Sequence, residues 1–452
     1  MKNLKYFLVG LLLIGCTKAV VTPTPIAEVN RIDSQSVKTV QQTTGVEIVS
    51  VDPALKSKHK GVITVPVVII NYVPIKQGTD GLYYLNKDLT LNSNLPYDAP
   101  HKMLFDRAKT KILTDKIIEK NAIEEGSRFR DYATNTVKPY VDIDVVAYIN
   151  VYDVKYIQNG NKIVDTTDDN INNPVTIPWY KIDYIDIMNR VNLKNYVENL
   201  GVKEVWLTTF PKEAGYLSFN VSESNMSPST NWVNARNVSN GGNQTLNTNS
   251  VTDYDLPRYN NTYVVYGDNG WRGADTDLHN RGHQLESQLT YLDNQESGLT
   301  KFLWTNGFVP RDSAGMVVKR HRLGNTHYPA SCDTSYGYWS NQTNYTDITD
   351  WKPSGGKQTL TSVGTWLNKR YPFESTITMS SPGPFATGSI NYSNDAQVKW
   401  FIFWWQSIPG YNNNITDTLG TGNFAKQISM TNWWDIFYNW DSAISNKTKL
   451  YK

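Results

Sequence analysis

The sequence predicts an α/β protein: a partly parallel sheet with flanking helices, long Asn/Ser/Gly-rich loops and an aromatic-rich helical region toward the carboxyl end. Three observations carry that prediction. β-branched runs alternate with helix-period segments between Gly61 and Thr209, residues 211–275 are dense in Asn, Ser and Gly, and tryptophan and phenylalanine gather late in the chain.

Val62–Ile70 contains Val-Pro-Val-Val-Ile-Ile, a run that suits a buried or partly buried strand. Lys102–Glu125 then places Leu104, Ala108, Ile112, Ile117 and Ile118 at spacings that form one helical stripe. Val141–Val151, centred on Val145-Val146-Ala147-Tyr148-Ile149, returns to strand chemistry. Asp183–Leu200 reads as a second amphipathic helix through Ile185, Met188, Val191, Tyr196 and Val197, with Gly201 as its stop. Val202–Thr209 is the next strand. Ligands in such sheets meet the carboxyl ends of strands, so the loops after Ile70, Tyr148 and Leu207 are candidates for the rim of a site. Residues 211–275 read as long loops over the body, and a division of the body near them is an alternative to a single unit. Val398–Ser407 and the Trp433, Trp434, Phe437 and Trp440 group suit core packing better than ligand platforms. Neither a dinucleotide fingerprint nor a Walker sequence is present.

Met1–Lys5 supplies two lysines, Tyr6–Ile14 is almost wholly apolar, and Leu13-Ile14-Gly15-Cys16 closes the run. This pattern reads as an export signal that is too short to span a bilayer as an ordinary helix. It resembles the lipobox of bacterial lipoproteins. The resemblance implies that residues 1–15 are a signal peptide, that Cys16 is acylated and becomes the first residue, and that the mature body is held to the membrane outside the cytoplasm. Thr17 rather than aspartate after Cys16 is compatible with outer-membrane sorting in a Gram-negative cell. Residues 16–60, with Pro23, Pro25 and Pro53, read as a tether carrying a short strand at Val46–Val51, and the folded body is expected from 61 to 452. The other cysteine is Cys332, which leaves no intrachain disulfide once Cys16 carries lipid and suits a buried thiol.

Removing residues 1–15 takes away two lysines and no acids, so the formal charge of +2 falls to zero. A neutral chain without a long basic run lacks the electrostatic footprint of a nucleic-acid binder. Its 14 tryptophans and 28 tyrosines, set among many Asn, Thr and Ser residues, suit either recognition of a polar ligand such as a glycan or an aromatic core.

The chemical clue is histidine placement: of six histidines, four lie between His279 and His327. In His279-Asn280-Arg281-Gly282-His283-Gln284-Leu285-Glu286, a helix would project His279, His283 and Glu286 within a sector of roughly 60 degrees. Two imidazoles and a carboxylate on one face are a candidate facial set for zinc or another divalent transition metal. Leu285, Leu289 and Leu292 could pack beside that face. The usual metalloprotease His-Glu-x-x-His is absent, because Asn280 follows His279. Glu286 is therefore open to three roles: third ligand, orienting partner of His283, or activator of a water. His327, in a turn bracketed by Gly324 and Pro329, is the further ligand or acid–base candidate, and His321 sits in a basic cluster. Asp275 and Asp277 could cap the helix or accept hydrogen bonds from ligands; Arg272 and Arg281 could hold an anion or form surface salt bridges.

A concrete reading follows. His279, His283, Glu286 and His327 are the metal candidates, and Glu286, Glu223 or His327 would handle protons in metal-assisted hydrolysis of a peptide, glycan or ester. A metal-free glycosidase is the alternative enzyme, with Glu223 and Glu286 as its carboxylates and Trp206, Trp232 or Trp271 stacking on sugar rings. A noncatalytic surface protein that binds glycan through those aromatics is the alternative outside enzymes. Val202-Lys203-Glu204-Val205-Trp206, Glu223-Ser224-Asn225-Met226 and the histidine segment together resemble parts of a large exported bacterial protein family without an assigned activity. That resemblance covers roughly residues 61–440 and implies no substrate or catalytic assignment.

Overall fold

The computed structural model describes residues 45–73, 75–77, 83–85, 105–132, 134–152, 155–158, 162–165, 180–182, 184–209, 224–227, 246–247, 257, 259–270, 273–300, 303–304, 322–375 and 394–452. Seven strands make the main sheet: β1 (Val46–Val49), β2 (Ile63–Tyr72), β3 (Val141–Val151), β4 (Glu204–Thr209), β5 (Ser224–Ser227), β6 (Leu246–Asn247) and β7 (Tyr263–Asn269). Their spatial order is β1-β3-β2-β4-β7-β5-β6. The four central strands pair in parallel, whereas β1 on one edge and β5 and β6 on the other run antiparallel to their neighbours. The fold is thus the mixed α/β sheet that the alternation of segments predicts.

A sheet covered on both faces needs central strands that are apolar on both sides. β2 meets this requirement: Val65, Val67 and Ile69 enter one core, and Val68, Ile70 and Tyr72 the other. The second core is closed by two short helices, α2 (Tyr184–Arg190) and α3 (Leu193–Asn199), through Ile187, Met188, Val191, Leu193 and Val197. The first and larger core lies under three helices, α1 (Phe105–Gly126), α4 (Ala274–Asp293) and α5 (Asn394–Trp405). α5 is wrapped in protein: Trp400, Phe401, Phe403, Trp404 and Trp405 are all fully buried, as are Trp433 and Trp434 of α6 (Trp433–Tyr438). The late aromatic residues are therefore core. α1 approaches α5 closely at Gly126, where a Cβ would lie 2.8 Å from the Trp405 ring.

Several details differ from the sequence reading. β1 pairs with β3, and Leu55 is fully buried, so the folded body reaches back to at least Gly45 rather than beginning at Gly61. Asp183–Leu200 is two helices, because Asn192 adopts a left-handed φ of 51° between them. Gly201, at φ 67°, ends the second. The segment read as loops, 211–275, supplies β5, β6 and β7 to the same sheet as β1–β4. β7 carries a legible signal in Tyr263-Val264-Val265-Tyr266, whereas Ser-Asn-Met-Ser of β5 is a strand only because it pairs with β7. Cys332 is buried. Residues 1–44, including Gly15 and Cys16, lie outside the described residues, as does Leu104. No helix among the described residues is long and apolar enough to cross a membrane.

α1 departs most from an amphipathic stripe, for Lys111, Asp115, Lys116, Glu119 and Lys120 are all buried. Buried charges persist only when paired. Lys116 Nζ lies 2.8 Å from Asp277 of α4 and 3.2 Å from Glu119. Arg281 of α4 grips Glu204 of β4 with both arms, at 2.6 and 2.8 Å, and reaches Glu119 at 3.3 Å. Its guanidinium also lies over the Tyr266 ring, 4.1 Å from the centroid. Burial pushes the Glu119 carboxyl up to about 8, against the pull of Lys116 and with the help of Asp277.

Two outcomes test this network by urea unfolding. Arg281→Met leaves the Glu204 carboxylate buried without its partner and is expected to cost about 3–5 kcal/mol; a loss under about 1 kcal/mol would contradict the pairing. Glu119 takes up its proton more readily folded than unfolded, so its contribution is full below about 4.5 and is lost as pH rises through about 8. Glu119→Gln is expected to remove that alkaline loss of stability.

Candidate metal centre

α4 has two working faces. At about 100 degrees per residue, Arg281 points nearly opposite to His279 and His283. The Arg281–Glu204 pair therefore fixes the rotation of the helix, and Asn280 adds a hydrogen bond of 2.7 Å to the Gly267 carbonyl of β7. Asp275 and Asp277 stand in the first turn, after the cap residue Gly273, where carboxylates suit the helix dipole. With that face locked into sheet and core, the histidine face is turned toward residues 322–338.

His327 comes from that segment, which is shaped by local chemistry. Gly324 adopts a φ of 69°, and a Cβ there would lie 2.5 Å from the Tyr328 carbonyl. The Asn325 side chain accepts from the His327 and Tyr328 amides at 2.9 and 2.8 Å, closing the turn. The Trp400 indole of α5 donates to the Asn325 carbonyl at 3.2 Å. Gly282 lets the turn come in against α4, since a Cβ at that position would meet Thr326 Oγ1 at 2.6 Å.

The result is a triangle of ring nitrogens. His283 Nε2 lies 3.0 Å from both His279 Nε2 and His327 Nε2, and the third side is 3.2 Å. The three rings are half-buried. Each neutral ring nitrogen carries either one N–H or one lone pair, so protons cannot satisfy three mutual contacts together. A single cation facing three lone pairs can. The spacing is close to the roughly 3.3 Å expected between nitrogens of a tetrahedral site with Zn–N near 2.05 Å. His279, His283 and His327 thus form a cluster compatible with a divalent metal ion.

Neighbouring groups set which nitrogen faces the centre. His283 Nδ1 is 3.0 Å from Glu286 Oε2, so its proton is held there and Nε2 is left as a lone pair. His279 Nδ1 is 3.5 Å from the Tyr338 hydroxyl, which donates to the Thr326 carbonyl, and 3.3 Å from the Gln397 amide. Burial, followed by the nearby His283, holds the His327 imidazole below its ordinary range, while Glu286 opposes them. His327 is accordingly neutral at pH 7, the form that can bind metal.

Glu286 stands behind His283 rather than in the triangle. Its second oxygen accepts from the Thr326 amide at 2.9 Å, which clips the His327 turn to α4. Of the three roles open to it, the geometry selects orientation of His283 over direct ligation. Arg281 holds neither an anionic intermediate nor a surface bridge, because it is 1% exposed and committed to Glu204. Trp206 is not a stacking platform: it is fully buried, and its indole donates to Glu204 at 2.8 Å. Glu223, Trp232, Trp271, Arg272 and His321 lie outside the described residues. The triangle draws no residue from the loops after Ile70, Tyr148 or Leu207; α4 and the 322–338 segment build it.

Sequence reasoning missed Tyr336. Its hydroxyl is 3.1 Å from His327 Nε2, and its ring stacks on His279 at 5.6 Å and lies tilted over His327 at 4.6 Å. A tyrosine nine residues after a histidine has no recognisable spacing; it is placed by the Tyr336 amide, which donates to the His327 carbonyl at 2.6 Å.

No protein-family model matches this chain, and no curated protein and no solved structure matches it either.

His327 binds its proton less readily in the fold than in the unfolded chain, where an ordinary value near 6.5 applies. The metal-free protein should therefore keep its full stability above about pH 6.5 and lose it as pH falls through the lower folded-state value. Urea midpoints measured across that range should show this slope, and His327→Gln should flatten it. An unchanged slope in the variant would place the acid-sensitive group elsewhere.

Proposed function

We propose that this chain is a lipid-anchored cell-envelope protein whose His279, His283 and His327 hold a divalent transition metal, zinc being the first candidate, for hydrolysis of a peptide, glycan or ester. One observation carries the site: three imidazole nitrogens within 3.2 Å of one another, with the outer nitrogens of two rings met by neighbouring groups. Three protein ligands suit a catalytic site, which keeps a position for water or substrate. A bound divalent ion would supply Lewis-acid polarisation and a more acidic water. The chain's own residues hold the ligands neutral and oriented: Glu286 keeps the His283 proton on Nδ1, and the Asn325 turn presents His327. Both Glu286 oxygens are engaged, so Glu286 serves in this reading as the group that orients His283.

Noncatalytic glycan recognition has an observation of its own in its favour. Tyr336, which stacks on His279, is 48% exposed, and aromatic faces of this kind stack on sugar rings. The metal-free glycosidase is weaker, since Glu286 is already committed to His283 and Thr326. The membrane attachment rests on the Leu13-Ile14-Gly15-Cys16 run.

Elemental mass spectrometry on full-length protein purified without chelator should find about one equivalent of a divalent transition metal, in keeping with a single closed set of ligands. His283→Ala should lose it while keeping its circular dichroism spectrum. Absence of metal, both as purified and after reconstitution with zinc, manganese or copper, would end the metal reading and favour glycan binding. Radiolabelled palmitate should enter the wild-type chain and not Cys16→Ser; equal labelling of both would remove the lipid anchor.

A further inference from the structure

Tyr336 combines features that a surface tyrosine has little reason to share. It adopts a left-handed backbone with φ 60°, a conformation that favours glycine. It is 48% exposed, so no core packing enforces that strain. The neighbouring chain holds it in place instead. Its amide donates to the carbonyl of His327, and Gly337, where a Cβ would sit 2.3 Å from the buried Cys332 sulfur, makes the tight turn that follows. What this arrangement delivers is a phenol oxygen at the rim of the nitrogen triangle, 3.1 Å from His327 Nε2. His327 Nε2 is in turn 3.0 and 3.2 Å from the other two nitrogens. Three nitrogens within 3.2 Å of one another and a phenol oxygen 3.1 Å from one of them offer the four donors that a four-coordinate ion requires.

We propose that Tyr336 is the fourth donor of this centre, its phenol oxygen binding the metal ion alongside His279, His283 and His327. On binding, the oxygen–hydrogen bond of the phenol breaks, an oxygen–metal bond forms, and the proton passes to solvent; nothing is oxidised or reduced. The ligand class follows from this: a substrate or inhibitor for this site must itself offer an oxygen donor able to displace a phenolate, such as a carboxylate or a hydroxamate. The half-exposed ring can swing toward solvent when that happens. This inference rests on the three-histidine metal reading.

Copper(II) added to the metal-free full-length protein tests it. Wild-type protein is expected to take up one equivalent and to show a phenolate-to-copper charge-transfer band in the visible. Tyr336→Phe keeps the stacked ring and removes only the oxygen; it is expected to bind copper through the histidines, lack the band, and bind about tenfold more weakly, the scale on which single groups around a metal act. Tyr336→Gly, which relieves the left-handed backbone, should also lack the band while unfolding no more readily than wild type. A wild-type complex with copper bound and no such band would overturn the tyrosine assignment and leave the histidine site standing. Persistence of the band in Tyr336→Phe would overturn it equally. Failure of the wild-type protein to bind copper, zinc or manganese would remove both.

Discussion

The bidentate pair between Arg281 and Glu204 sets the geometry on which the site depends. A helix lying on a sheet can turn about its own axis, and a turn of one residue moves every side chain by about 100 degrees. Arg281 removes that freedom because both charges are buried and each is expensive without the other. Tyr266 beneath the guanidinium and Lys116 on Asp277 strengthen the same constraint from two further elements. With Arg281 facing the sheet, His279 and His283 can only face the 322–338 segment. The ion pair never touches the triangle of nitrogens, yet it decides where two of its three corners stand.

The third corner depends on closeness between two backbones. Gly282 has no side chain to keep Thr326 away, and Glu286 reaches across to the Thr326 amide. One carboxylate thereby performs two tasks, fixing the His283 tautomer and fixing the turn that carries His327. This coupling explains why a glutamate at this spacing need not be a ligand. Three neutral imidazoles add no negative charge, and the Glu286 carboxylate lies behind a ring, so charge compensation for an ion held there would fall to the Tyr336 phenol oxygen.

The fold was legible where local pattern and tertiary environment agree. β2, β3 and β4 read correctly from β-branched runs, and Met188, Val191 and Val197 point into one core as the helical period requires, whereas Ile185 is exposed and Asn192 divides the helix. Legibility failed where pairing at a distance supplies the stability. Ser224–Ser227 has Met226 as its one apolar residue and is a strand through its bonds to β7. The buried lysines and acids of α1 contradict any stripe read from that helix alone, because Lys116 and Glu119 find partners on α4. In the site, the His279–His283 spacing and the Gly324–Pro329 turn were readable. The role of Arg281 was not, since its partner Glu204 is 77 positions away. Trp206 looked like a platform from its residue type alone, and its burial follows from a central strand that no composition reveals.

Anomalous diffraction at the zinc edge, from crystals of full-length protein grown with zinc, tests the central claim most directly. One peak is expected about 2.0–2.1 Å from the Nε2 atoms of His279, His283 and His327, with Glu286 still on His283 Nδ1. A peak bound by Glu286 in place of one histidine, or zinc located elsewhere with the three rings unliganded, would contradict it.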